Sequence, residues 1–325
     1  MRAAWYEKTG PASKVLVVGE LPDPTPGPGE VLVRVRYSGV NPGDAKKREG
    51  WQGGPMPYPR VIPHSDASGV IDAVGAGVDA ARVGRRVWVH GAQSYRPFGT
   101  AAEYVVVPGD LAVDLPDGVP DTLGACLGIP GITAHRAVFA DGPVDGLTVL
   151  VQGVHGAVGR LAAQLARRAG ARVIGTIRKR QDFLDVESGT ADHVVVLGSE
   201  ARERIAKLAP DGVHRIIEVA FAANLKLDAA VAAPGATIAA YGTDDPKPRL
   251  PFWPMLFDNL VIRLLGSDDF PVEAKRAAAA DLTAAASEGA LPTPIRKPLR
   301  LARIAKAHDL VESGIRARVL IDPTA

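Results

Sequence analysis

Val149-Leu150-Val151-Gln152-Gly153-Val154-His155-Gly156-Ala157-Val158-Gly159 decides the fold of this 325-residue chain. An apolar run of the kind a buried strand needs passes straight into glycines spaced three apart. The residues that follow put Val158, Leu161, Ala162, Leu165, Ala166 and Ala169 on one helical face, with Arg160, Gln164, Arg167 and Arg168 outside that stripe. Gly170 closes the helix and Ala171 opens the next apolar strand. Strand, glycine turn, helix and strand make the βαβ unit of a parallel sheet. Gly153 permits the tight turn, Gly156 lets a diphosphate approach the helix amides, and Gly159 allows close packing of helix on strand. A tight turn that binds nothing is the alternative, because this spacing is not the commonest fingerprint. The surrounding βαβ pattern favours a dinucleotide site.

Downstream the same rhythm continues. His193 to Leu197, Arg215 to Val219 and Thr237 to Tyr241 read as further strands between helical segments. Two helices, near Lys275 to Glu288 and Leu301 to Ser313, lead to a last strand from Arg318 to Asp322. Upstream the pattern differs. Val31 to Arg36, Gly69 to Val74, Arg86 to Val89 and Glu103 to Val107 are short alternating strands separated by turn formers, as in an antiparallel barrel or sandwich. The expected fold class is α/β: a β-rich domain over residues 1–123, completed by 266–325, and a doubly wound domain over 124–265.

Composition agrees with two globular domains. Hydrophobic residues are 46% and charged residues 23%, and the net charge of +2 gives no basis for binding nucleic acid or a membrane surface by charge alone. A single cysteine, Cys126, excludes an internal disulfide and any zinc site built from several thiolates; in its apolar run it reads as a small core residue. No apolar run approaches the roughly 18 residues of a membrane span. The segment Met1 to Lys8 lacks the apolar core of a signal peptide, so a cytoplasmic protein is expected.

The place where an NAD site usually carries an acid, about 20 residues after the first glycine, reads Gly175-Thr176-Ile177-Arg178-Lys179-Arg180, with no acid before Asp182. Cations there suit a 2′-phosphate and predict NADPH; the alternative is a solvated helix start. Candidate cofactor contacts are Gly153, His155, Gly156, Ala157, Val158 and Gly159 of the turn, then Thr176, Arg178 and Lys179, then Ala220, Tyr241 and Gly242 near later strand ends.

With these features placed, the chain resembles the zinc-free quinone oxidoreductase branch, the zeta-crystallin type, of the medium-chain dehydrogenase/reductase superfamily. The resemblance runs through Gly39-Val40-Asn41-Pro42-Gly43-Asp44, Pro63-His64-Ser65-Asp66-Ala67-Ser68-Gly69, Gly84-Arg85-Arg86-Val87 and Gly128-Ile129-Pro130-Gly131-Ile132-Thr133-Ala134 as well as the Gly153 turn. It implies a GroES-like catalytic domain, a Rossmann domain, NADPH in the cleft between them, and a homodimer. Zinc-dependent relatives place a Cys and a His where this chain has Ser38 and Ser65, and a neutral hydroxyl is a poor zinc ligand, so no metal is expected.

The resemblance assigns Asn41 to a position beside the nicotinamide, where its amide hydrogen would reach the substrate oxygen; a turn former before Pro42 is the alternative. Thr133 is assigned the same neighbourhood, against a role in starting a helix. Lys46 and Gln52 stand where relatives often carry tyrosines, and both are catalytic candidates, although a solvated Lys46 is the plainer reading. His64 stands where relatives often have glycine, and two readings are open: cleft lining or a satisfied structural histidine. Arg318 falls where relatives often present a basic residue to the 2′-phosphate. The implied activity is NADPH-dependent hydride transfer to a quinone or related conjugated carbonyl. An enoyl or alkenal reductase is one alternative, and a non-catalytic NADPH-binding protein of the crystallin or RNA-binding kind is another. Residues 241–270 hold five of the 17 aromatics, beside the strand-like run Leu260 to Leu265, which marks the sheet edge expected to join two copies.

Overall fold

The structure, a computed structural model, describes residues 1–186 and 189–325, the side chains of Gln52 and Asp185 excepted. Backbone contacts gather the chain into two units. The first comprises Met1–Pro130, Ala279–Glu288 and Pro292–Ala325; the second comprises Gly131–Ala278 and Gly289–Leu291. The divisions come later in the chain than residues 123 and 265 because both fall inside helices, where the sequence rhythm does not change.

The first unit begins with strands β1 (Arg2–Trp5), β2 (Val17–Glu20), β3 (Glu30–Val40), β4 (Asp66–Val74), β5 (Arg86–Val89), β6 (Tyr104–Pro108) and β7 (Ala112–Asp114), with helices α1 (Ala12–Val15) and α2 (Pro42–Arg48) between them. Helix α3 (Asp121–Phe139) follows and is broken at Gly128, two residues before Pro130. The second unit carries β8 (Thr148–Val151), α4 (Ala157–Arg168), β9 (Arg172–Ile177), β10 (His193–Val196), α5 (Ala201–Leu208), β11 (Val213–Glu218), α6 (Phe221–Val231), β12 (Ala232–Ala240), α7 (Phe252–Phe257) and β13 (Val261–Leu264). After α8 (Val272–Ser287) come β14 (Leu299–Arg300), α9 (Ile304–Glu312) and β15 (Val319–Asp322), which return to the first unit.

In the first unit, β3 organises a seven-stranded sheet in the order β14-β15-β3-β4-β5-β7, with β6 also paired to β3. The β3 pairings with β4, β6 and β15 are antiparallel. Alternation along β3 turns Val31, Val33 and Val35 inward against Ile71, Val87, Val89, Val105 and Val107. Burying each such side chain contributes about 1.5–3 kcal/mol, which fixes the register that brings Ser38 and Asn41 to the end of β3. Gly69 is needed opposite Val35, because a Cβ there would lie 2.2 Å from the Arg34 carbonyl oxygen.

In the second unit all six strands are parallel, in the order β10-β9-β8-β11-β12-β13. Read by chain order that is 3-2-1-4-5-6, the doubly wound arrangement, whose ligand-binding position is the strand-order reversal between β8 and β11. Leu150, Ile174, Ile216 and Ile238 from four adjacent strands form its core with Ile205 and Leu225 of the helices. Among the described residues β13 pairs on one side only, leaving an open edge.

Candidate active site

The glycine turn has the form its sequence predicts. Gly153 follows β8 at φ 69°, a left-handed conformation that favours glycine. Its N–H donates to Thr176 Oγ1 at 3.2 Å, and Val154 N–H donates to the Thr176 carbonyl oxygen at 3.0 Å, which fastens the turn to β9. Gly156 sits before the first residue of α4. No side chain caps this helix, and its first turn holds no acid. The leading N–H groups of α4 are therefore unmatched donors on a positive dipole end, the chemistry that a diphosphate satisfies. A Cβ on Gly159 would lie 2.5 Å from the Gly153 carbonyl oxygen, so glycine there lets α4 pack against its own turn. The residues present fit a dinucleotide.

Thr176, Ala220, Tyr241 and Gly242 gather with Gly153 at the carboxyl ends of adjacent parallel strands. Tyr241 N–H donates to the Glu218 carbonyl oxygen, and Phe221 N–H donates to that of Gly242. Arg178 and Lys179 leave the end of β9 with exposed side chains. His155 is buried, its Nε2 3.6 Å from Asp182 Oδ2. Ala157 and Val158 open α4. Thr133 is buried in the interior of α3 and does not start it.

The catalytic candidates lie in the first unit. Asn41 is buried and its Nδ2 donates to Asp66 Oδ2 at 2.6 Å. Asp66 is wholly buried; its Oδ1 accepts the Ile129 N–H at 2.8 Å. The break in α3 makes room for it, since a Cβ on Gly128 would lie 2.1 Å from Asp66 Oδ1. One amide hydrogen of Asn41 is thus committed within the protein, leaving a second hydrogen and a buried Oδ1 with no partner among the described residues. The Asn41 main-chain N–H donates to Asp44 Oδ2 at 2.7 Å, and burial pushes the Asp44 carboxyl up to about 7.

Arg318 differs from expectation. It is 6% exposed, Nη1 donates to the Val40 carbonyl oxygen at 3.3 Å, and Nη2 lies 3.9 Å from Asp66 Oδ2. It is a buried counter-ion of Asp66 rather than an exposed cation for a 2′-phosphate. A lone Arg before a terminal strand gave no sign of this, because its partner is distant in sequence. Lys46 is exposed, with Nζ 5.6 Å from the Trp51 ring centre. The side chain of Gln52 lies outside the described residues.

His64 resolves as a structural histidine. It is wholly buried and holds φ 75°, a conformation usually left to glycine. Its hydrogen bonds fix their own direction. The Thr100 hydroxyl donates to the Asp66 carbonyl oxygen at 2.7 Å, so its oxygen accepts from Ser38 at 2.7 Å. Ser38, having spent its proton, accepts from His64 Nδ1 at 2.8 Å. His64 Nε2 is then an acceptor, and His308 donates to it from Nε2 at 3.0 Å. His64 must be neutral, since a proton on its Nε2 would set it against the His308 N–H. Burial, with the Arg48 charge beside His308, pushes His308 down to about 3, and burial with His308 nearby pushes His64 down as well. Sequence reading missed Thr100 and His308, which come from distant segments and belong to no motif.

Among the described residues no group of three or more His, Cys, Asp or Glu side chains is arranged to hold a metal ion, and no helix is long and apolar enough to cross a membrane. A β-sheet unit bearing a buried amide–carboxylate pair and a doubly wound unit bearing a glycine turn make up the two-unit fold of the medium-chain oxidoreductases. Residues 27–117 match the alcohol dehydrogenase GroES-like domain, and residues 157–278 match the zinc-binding dehydrogenase family. Quinone oxidoreductases of Homo sapiens and Pongo abelii are each 30% identical over 320 residues, spanning 97% of this chain and 94% of theirs. A solved mycobacterial quinone oxidoreductase is 27% identical with a TM-score of 0.86, over 99% of this chain and 100% of that one. A mycobacterial structure complexed with NADPH is 26% identical with a TM-score of 0.84, over 99% and 100% of the two chains. The chain belongs to the quinone oxidoreductase, zeta-crystallin-like branch of the medium-chain dehydrogenase/reductase superfamily.

Proposed function

We propose that this oxidoreductase is a zinc-independent reductase that uses NADPH to reduce quinones or related conjugated carbonyls. The observation that carries the reading is the uncapped, glycine-lined start of α4 together with exposed Arg178 and Lys179 at the end of β9. Arg178 and Lys179 hold the 2′-phosphate by charge-assisted hydrogen bonds, and the leading α4 amides hold the diphosphate. When bound, NADPH supplies the hydride. Asn41, its amide oriented by Asp66, offers its remaining hydrogen to the substrate oxygen as negative charge develops there. Lys46, which is exposed, and Gln52 are the further candidates for polarising or protonating that oxygen. Quinones need little acid catalysis, because their reduced forms are aromatic, so the missing tyrosines cost least with them.

Zinc does not fit the donor set. The Ser38 oxygen already accepts from His64 and donates its proton to Thr100, and Asp66 is taken by Asn41, Ile129 and Arg318. A homodimer through the β13 edge completes the reading. Leu264 and Phe257 are each 73% exposed and Trp253 is 64% exposed beside unpaired main-chain groups, a combination that a second copy would cover. A steady-state screen of ortho- and para-quinones and alkenals with both nicotinamides tests the function. Faster NADPH oxidation with quinones supports it; equal or better turnover of alkenals favours an enoyl-type reductase. Tight NADPH binding without turnover across the panel favours a non-catalytic binding protein.

A further inference from the structure

The second unit contains two wholly buried carboxyl groups with no part in the chemistry above: Glu218 at the end of β11 and Asp228 in α6. Glu218 Oε1 accepts the Ala220 N–H, and Asn224 Nδ2 donates to it at 3.1 Å. Asp228 Oδ1 accepts from Gln152 Nε2 at 2.7 Å. The other two oxygens, Glu218 Oε2 and Asp228 Oδ2, are buried with no further donor among the described residues. The Gln152 main-chain N–H donates to the Ile217 carbonyl oxygen at 2.9 Å, so the side chain that holds Asp228 starts beside the end of β11 where Glu218 stands, and burial drives both carboxyls upward. One proton held between Oε2 and Oδ2 satisfies both; two full charges there would have nothing to offset them.

The hydrogen bonds leading from this pair to the nucleotide turn have a single sense. The Gly153 main-chain N–H can only donate, and it donates to Thr176 Oγ1 at 3.2 Å. The Thr176 hydroxyl donates to Gln152 Oε1 at 2.5 Å, which turns the Gln152 NH2 toward Asp228. Asp228 must therefore accept at Oδ1, and the proton it shares with Glu218 must sit on its other oxygen. The remaining titratable group facing the pair is Tyr241, whose phenol is pushed upward by burial and by Glu218. Gln152 just after β8, Thr176 of β9 and Asn224 of α6, the partners of this network, are neutral.

We propose that Asp228 and Glu218 share one proton and act as a positioning pair for the Gly153 turn, so that loss of this proton weakens dinucleotide binding. This rests on the reading that the turn binds NADPH. A second buried negative charge behind the turn opposes the diphosphate, and its repulsion from the first drives Asp228 out of line with Gln152. Because the binding-competent form carries the extra proton, affinity falls as pH rises through the titration of the pair, by up to about tenfold per pH unit. Asp228→Asn separates the shared proton from the geometry. Its Oδ1 still accepts from Gln152, its NH2 donates to the Glu218 carboxylate, and the net charge stays at that of the singly protonated pair. Glu218→Gln makes the same exchange from the other side.

The test is a fluorescence titration of NADPH against wild type, D228N, E218Q and Asp228→Ala, from neutral to alkaline pH. Arg178, Lys179 and the cofactor phosphates are common to all four, so their own titration cancels in the comparison. The proposal expects wild-type affinity to fall with rising pH, the D228N and E218Q profiles to be flatter, and D228A to bind weakly throughout. If D228N and E218Q follow the wild-type profile, or D228A binds as wild type does, the proposal is overturned while the proposed function stands. If the wild type binds no NADPH at any pH, both fall together. Should D228A fail to fold in a thermal melt, the comparison of D228N and E218Q with wild type decides alone.

Discussion

Replacing Gly159 and Gly156 by alanine separates what the glycine turn does for the fold from what it does for the ligand. At Gly159 the new methyl would lie 2.5 Å from the Gly153 carbonyl oxygen and 3.1 Å from its carbon, atoms of the main chain that no rotamer change can move. Overpacking of this kind costs about 1–3 kcal/mol, and the better helix propensity of alanine returns up to about 1 kcal/mol. A contact this short belongs to the upper part of the overpacking range, so Gly159→Ala should lose a net of about 1–2 kcal/mol, several degrees in Tm, and should bind NADPH more weakly because α4 is displaced. At Gly156 the nearest contact would be 3.3 Å and φ is negative, so the folded chain can take a methyl. Gly156→Ala gives up only the N-cap advantage of glycine, about 0.5 kcal/mol. Its methyl stands where the diphosphate must approach, and affinity should fall at least about tenfold, the equivalent of one strong hydrogen bond lost. Thermal melts paired with fluorescence titrations of NADPH separate the two effects. A Gly156→Ala variant that binds as wild type does, or a Gly159→Ala variant as stable as wild type, refutes the reasoning.

Arg178→Ala and Lys179→Ala should each raise the Michaelis constant for NADPH by about tenfold, the low end for exposed charge-assisted bonds. The constant for NADH should hardly move, and added salt should shrink the difference; equal weakening of both cofactors would make the pair a solvated helix start. Asp44 bears on stability against pH. Its folded carboxyl titrates at about 7 against an ordinary 3.8, so between those values the folded state binds more protons and stability falls as pH rises. Asp44→Asn should flatten that fall in denaturant unfolding measured across the window, and an unchanged slope would contradict the assignment. Leu264→Lys at the β13 edge should give a monomer mass in light scattering at micromolar concentration where wild type gives a dimer mass; a monomeric wild type would remove the proposed interface.

Elements governed by local pattern were legible in the sequence. The Val149 to Gly159 stretch disclosed a βαβ unit because its strand, turn and helix are neighbours along the chain, and hydrophobic alternation disclosed β3 to β6. What the sequence concealed depends on contacts between distant residues. Arg318 reads as a surface cation until Asp66 and Val40 are seen against it. His308, Thr100 and Asp228 stand in no motif, yet each closes a hydrogen-bonded chain begun elsewhere. The contact units divide inside α3 and α8, where no change of sequence rhythm marks a boundary.

The most direct measurement of the central claim is the initial rate of nicotinamide oxidation by the chelator-dialysed protein, with NADPH and NADH each paired against ortho- and para-quinones and alkenals. A zinc-independent NADPH:quinone reductase predicts full activity after dialysis, a higher kcat/KM with NADPH than with NADH, and faster turnover of quinones than of alkenals. Activity that requires added zinc, or a preference for NADH, would contradict it.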